Sequence, residues 1–154
     1  MNLSSSGPGR LLSTTDSFAP LFLRLSLAVV MFPHGAQKVF GWFGGYGFTG
    51  TMDHFTGTLG VSSAVAFLVI AGEFLGSLGL AAGMLTRFAA AGLIPIMIGA
   101  IKMVHLPNGF FMNWYGNQEG EGFEYHLLVL GMALALVVSG GGRWSMDRKL
   151  TRSS

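Results

Sequence analysis

The sequence predicts an all-α integral membrane protein, a four-helix antiparallel bundle with its N- and C-termini on the cytoplasmic side. Three observations carry this expectation: a composition too apolar for a soluble domain, four apolar runs between polar connections, and a one-sided Lys and Arg pattern. Of the 154 residues, 51% are apolar and 10% are charged, where soluble domains carry about 25% charged residues. Mean hydropathy is +0.56, and a chain this short has too little interior to hide that much apolar surface. The 24 glycines and 9 methionines suit close helix packing in lipid.

Residues 1–17 are rich in Ser, Thr and Gly and are expected to form a disordered cytoplasmic tail. They do not read as a secretory signal, since they lack a basic start and Arg24 interrupts the apolar run that follows. The transmembrane domain is expected over 18–142, with spans at about 18–40, 61–84, 88–106 and 123–139. Trp42, Phe43 and Tyr46 form an aromatic belt where the first span leaves the membrane. Residues 41–60 are a Gly-rich loop too polar to cross. The second span is interrupted only by Glu73, and the short Thr86-Arg87 turn sends the third span back, with Pro95 as a kink. A polar loop over 107–122 leads to the fourth and shortest run. Each run approaches the roughly 20 residues needed to cross a hydrocarbon core of about 30 Å. Residues 143–154 are a basic cytoplasmic tail.

Orientation follows from the cations. Arg10, Arg87 and the tail residues Arg143, Arg148, Lys149 and Arg152 lie on one side, whereas the two longer loops hold Asp53, Glu119 and Glu121 without Lys or Arg. The positive-inside rule places both tails in the cytoplasm.

Several functions are excluded at this level. The pI near 9.3 accompanies a net charge of only +2, and no basic stretch interleaved with aromatics is present, so nucleic acid is not an expected partner. With no cysteine, disulfides, thiolate metal sites and iron–sulfur ligation by this chain are excluded. Gly45, Gly47 and Gly50 match G-x-G-x-x-G by letter, but the motif follows a membrane helix and opens no βαβ unit. His34, His105 and His126 lie on three helices without a paired ligand spacing, so neither metal nor haem is expected.

Ionisable groups within spans are costly and therefore point to function. Arg24, His34 and Lys38 fall within an arc of about 80° on the first span. Glu73 sits near the middle of the second, beside a stripe of Gly72, Gly76, Gly79 and Gly83 that would admit a close neighbouring helix, expected to be the first span. Lys102 and His105 share a face at the end of the third span, and Glu124, Tyr125 and His126 open the fourth. The candidate pocket therefore comprises His34, Lys38, Glu73, Lys102, His105, Glu124 and His126, opening towards the outer leaflet. Plainer roles compete at each position. Glu73 with Arg24 reads as a structural ion pair, the pocket lysines being the second choice of partner. Lys38 and Lys102 could snorkel to headgroups, and His126 could be a packing residue.

Read in order, these residues resemble the DoxX family of small four-helix membrane proteins. The blocks are Arg24, Phe32-Pro33-His34-Gly35 with Lys38 and Phe40-Gly41, then Gly72-Glu73 with Gly76, Gly79, Leu80 and Gly83. Thr86-Arg87, His105, Gly109-Phe110, Glu124-Tyr125-His126 and the closing Gly-rich turn with Ser145 and Asp147 complete the series, from about Leu21 to Asp147. The resemblance implies a subunit of a bacterial inner membrane linked to oxidoreductase chemistry. Some relatives serve thiosulfate oxidation with quinone as acceptor, and others assemble with soluble redox partners in oxidative-stress defence. A quinone-binding subunit with further protein subunits as partners is thus the first expectation. A non-catalytic membrane scaffold beside a larger complex is the alternative.

Overall fold

The computed structural model describes residues 12–152. The expected disorder of residues 1–11 lies outside the described residues. Every regular element among the described residues is helical. Helix α1 spans Ala19–Phe40, α2 Gly47–Asp53, α3 Ser63–Ala82, α4 Thr86–Ala100, α5 Glu124–Ser139 and α6 Met146–Arg152. Three helical stretches, Ala19–Phe40, Ser63–Ala82 and Thr86–Asn108, are long and apolar enough to cross a membrane. The third is continuous because α4 runs on through a π turn at Ile101–His105 and a 3-10 turn at Leu106–Asn108. Helix α5, at 16 residues, is apolar but shorter.

Local chemistry explains the boundaries. Pro20 occupies the first turn of α1, where its missing N–H costs nothing, and Gly41 ends the helix at φ 74° with its N–H on Gln37 O. The Ser62 side chain caps α3 by accepting from Val65 N, and Gly83 ends it at φ 65°. The loop 41–60 contains more structure than its composition suggests, since α2 and a π turn at His54–Thr58 occupy most of it.

Arg24, Leu27, Ala28, Met31 and Gly35 recur at helical spacing on the buried face of α1. Leu27 and Met31 meet Leu80, Leu93, Met97, Val129 and Leu136 in the core. Helix α1 packs mainly on α3, and α4 on α5; α3 also meets α4, and α5 meets α1. Large apolar side chains cover the outside as well, among them Phe22, Val29, Phe67, Leu68, Leu75, Leu128 and Val138. Exposed apolar area on this scale is what a lipid-facing surface requires and what a water-facing one avoids.

The contact between α1 and α3 is made differently from the expected glycine stripe. A Cβ on Gly35 would lie 2.6 Å from Phe74 Cα, so the close approach belongs to a glycine on α1. Gly72 and Gly79 face elsewhere: a Cβ would meet Ile96 Cδ1 at 2.9 Å and Met84 O at 3.1 Å respectively, and one on Gly76 would meet nothing within 4 Å. The stripe follows the helix period, but the rotation of α3 directs Gly72 and Gly79 towards α4 and its preceding turn and Gly76 outwards, while Gly83 at the helix end faces Ser145 and the Arg24 guanidinium.

Residues near both chain ends tie the opposite end of the core together. Gly142 N donates to Thr14 Oγ1, Thr15 N donates to Ser139 O, and Arg87 donates to Ser13 O and Val137 O. Residues 12–17 are therefore docked, not a disordered tail. The basic tail is likewise folded: α6 begins at Met146, and Arg143 and Arg148 both pair with Asp16, the former at 2.6 Å. Arg148, then Arg143, hold the Asp16 carboxyl well below the usual carboxylate range.

Candidate functional site

Arg24 and Glu73, expected to pair, do not meet. Glu73 lies opposite Gly35, eleven residues and about 16 Å along α1 from Arg24. The offset set by the Gly35 contact places Arg24 beside the C-terminal end of α3. There its guanidinium donates to Leu80 O at 3.0 Å, Ala81 O at 2.6 Å, Gly141 O at 3.1 Å and Trp144 O at 3.1 Å. The carbonyls at a helix C-terminus have no partners within the helix, and a cation suits that negative end of the dipole. Asp147 performs the complementary task. Its carboxylate accepts from Leu85 N at 2.7 Å and Thr86 N at 2.9 Å, capping the N-terminus of α4. Arg24 and Asp147 are 2% and 1% exposed, so both act as buried clamps.

Glu73 pairs with Lys38, Nζ to Oε2 at 2.6 Å. Lys38 Nζ also lies 3.4 Å from His34 O. This pair forms part of the wall of a cavity of about 520 Å³ that also takes in His34, His105, Tyr125 and His126. Five expected residues, His34, Lys38, Glu73, His105 and His126, therefore line one space. Four rings follow one another along it: His34 to Tyr125 at 6.1 Å, Tyr125 to His126 at 5.2 Å, and His126 to His105 at 4.2 Å between centroids. The other walls are apolar, with Met31, Met97, Met103 and Met112 prominent. Flexible thioethers of this kind adapt to an aromatic guest.

Two expected residues lie elsewhere. Lys102 is exposed and does not line the cavity. It shares a helical face with His105 only on a regular α-helix, and the π turn at Ile101–His105 changes that register. Glu124 instead fastens the preceding loop, accepting from Met112 N at 2.9 Å and Trp114 Nε1 at 2.8 Å. The sequence reading left Tyr125 out of the site, although it adjoins His126 and its hydroxyl reaches only Met31 Sδ, at 3.5 Å. Glu121 was also missed; its backbone carbonyl faces His105 Nδ1 at 2.8 Å. No sequence periodicity identifies a carbonyl in an irregular loop as the partner of a helical histidine.

The cavity combines an ion pair, two buried or half-buried imidazoles and a phenol with apolar walls. Such a space can hold a small amphiphile by hydrogen bonds at one end and dispersion at the other. Among the described residues, no three His, Asp or Glu side chains converge as a metal site would require.

Comparison with known proteins agrees with this architecture. No solved structure matches the chain. A protein of Bacillus subtilis (strain 168) named "Putative oxidoreductase CatD" is 33% identical over 119 residues, covering 77% of this chain and 78% of that protein. A Mycobacterium tuberculosis (strain ATCC 25618 / H37Rv) protein named "Uncharacterized membrane protein Rv3486" is 38% identical over 76 residues, 46% of this chain and 45% of that one. Residues 19–106 match the family described as DoxX, and with three helices long and apolar enough to span a bilayer, the chain is a membrane protein that belongs to the DoxX family.

Proposed function

We propose that the chain is a multi-pass membrane subunit of an oxidoreductase complex whose cavity takes a quinone or a comparable small amphiphile. The observation that carries this reading is the cavity itself, where Lys38, Glu73, Tyr125 and three imidazoles meet apolar walls. Tyr125 and Lys38 would donate to an acceptor oxygen of the ligand. Glu73 and the imidazoles would hold the protons that accompany its reduction or oxidation. The name of the Bacillus relative supports the oxidoreductase link.

In this reading the four longer helices cross a bacterial inner membrane as an antiparallel bundle with both termini cytoplasmic, as the Lys and Arg pattern favours. The 16 residues of α5 rise about 24 Å, so the bilayer thins locally or flanking residues complete the crossing. The cavity then lies towards the outer leaflet. Val65 on α3 and Met103 beyond α4, 49% and 46% exposed, edge it, so a ligand would enter sideways from lipid.

The test is mass spectrometry of lipophilic molecules that co-purify with the full chain from bacterial membranes. One enriched species is expected in the native protein, absent from a folded His126→Leu, Tyr125→Phe variant. If only bulk lipid co-purifies and added quinone leaves the melting temperature unchanged, the reading fails. A scaffold role is the second reading, favoured by Gly76, whose missing side chain opens a close approach that none of the described residues occupies. Stoichiometric protein partners without any small molecule would support it.

A further inference from the structure

We infer that the cavity selects a hydroxyl-bearing ring, the hydroquinone-type form of its ligand, over the carbonyl-bearing oxidised form. This deepens the preceding proposal and rests on the cavity being a small-molecule site.

His105 Nδ1 is 2.8 Å from the Glu121 carbonyl. A carbonyl can only accept, so Nδ1 carries the proton, and in the neutral imidazole Nε2 is then a bare acceptor. No hydrogen bond from the described residues reaches Nε2. Beside it, His126 is 5% exposed and forms part of the same wall. Tyr125 brings the opposite polarity. Its hydroxyl donates only to the Met31 thioether at 3.5 Å, a weak acceptor that a ligand oxygen would displace. Lys38 Nζ, held by Glu73 at 2.6 Å, adds donors to the cavity and no acceptor.

A matching ligand must therefore accept from Tyr125 and donate to His105. A hydroxyl does both, accepting from Tyr125 with a lone pair and donating its one proton to His105 Nε2. A quinone carbonyl can only accept, so it would set its lone pairs against His105 Nε2 and leave that atom unpaired. The methionines and Phe55 in the walls suit the face and edge of a ring.

The test is anaerobic calorimetric titration of the full chain in detergent at pH 8, where an ordinary imidazole is neutral. The probes are ubiquinone with a decyl tail and the quinol made from it, which differ only in carbonyl against hydroxyl. The quinol is expected to bind about fivefold tighter, the worth of one net hydrogen bond. His105→Leu should abolish that preference. His105→Gln, whose amide oxygen can accept in place of Nε2, should retain it, with melting curves confirming that each variant is folded. Equal affinity, or tighter quinone binding, overturns the inference and leaves the binding site intact. A quinol preference that survives His105→Leu overturns the assignment to His105. If neither form binds, the small-molecule reading itself fails, and this inference with it.

Discussion

At the Arg24 end, all three guanidinium nitrogens and both oxygens of Asp147 rest on backbone groups. At the cavity end, Tyr125 donates to a thioether, and no hydrogen bond from the described residues reaches His105 Nε2. Both ends bury polar side chains in an apolar setting, yet only one completes their hydrogen bonding. Thr86 Oγ1 is an exception at the Arg24 end, being buried without a partner. Completed bonds hold helix termini and turns in place, which is a folding task. Incomplete bonds cost stability and leave capacity for another molecule, which is a binding task.

The sharpest way to break this contrast is Arg24→Gln. It leaves carbonyls at the end of α3 and in the closing turn without their donor, with an expected loss of about 3–5 kcal/mol. The measurement is the fraction of monodisperse protein recovered in detergent together with its melting temperature. Arg24→Lys should rescue little, because an ammonium cannot reproduce a planar fork that serves four carbonyls. Wild-type stability in Arg24→Gln would show that the cluster is not a clamp.

At the cavity end, Glu73→Gln and Lys38→Met should each cost about 2–3 kcal/mol by leaving a partly buried charge alone, and together less than the sum. A double-mutant cycle in thermal denaturation measures the coupling. Additive losses would mean that the 2.6 Å contact contributes nothing. The same cycle with Arg24→Gln in place of the lysine change should show no coupling.

The helix contact offers a smaller test. Gly35→Ala places a methyl against the Phe74 backbone and should destabilise by about 1–3 kcal/mol, whereas Gly76→Ala should be neutral or slightly stabilising. Equal melting temperatures for the two variants would deny Gly35 its role in the α1–α3 approach.

The smallest effect concerns Asp16. Its carboxyl titrates lower when folded than when unfolded because Arg148 and Arg143 hold the charged form. The stability it contributes is therefore complete above the ordinary carboxylate pKa and is lost as pH falls below about 4. Asp16→Asn should lower the melting temperature slightly at pH 7 and flatten its decline in acid. An unchanged acid profile would show that the pairing adds nothing to the docking of residues 12–17.

Much of the architecture was legible in the residues. The apolar runs, their glycine and proline boundaries and the aromatic residues at their ends announce membrane helices through composition and period alone. Most of the ionisable residues that line the cavity are visible too, since any such group within an apolar run stands out. What misled was partnership. The Arg24–Glu73 pair does not form, and Lys102 belongs with the pocket only on an α-helical register that the π turn at Ile101–His105 changes. Glu124 entered the pocket as a neighbour of His126, although it faces the loop and holds Trp114.

The sequence by itself determined a helical membrane protein of the DoxX family and five of the polar side chains that line its cavity. Those properties depend on residue type and short-range spacing, which the chain carries locally. Only the tertiary structure decided that Glu73 meets Lys38, that Gly35 and not the α3 stripe forms the α1–α3 approach, and that a loop carbonyl fixes the His105 tautomer. The physical reason is common to all three. A helix period specifies which residues share a face, but the rotation and axial offset of one helix against another come from packing. A shift of 1.5 Å per residue along the axis is enough to exchange one buried partner for another.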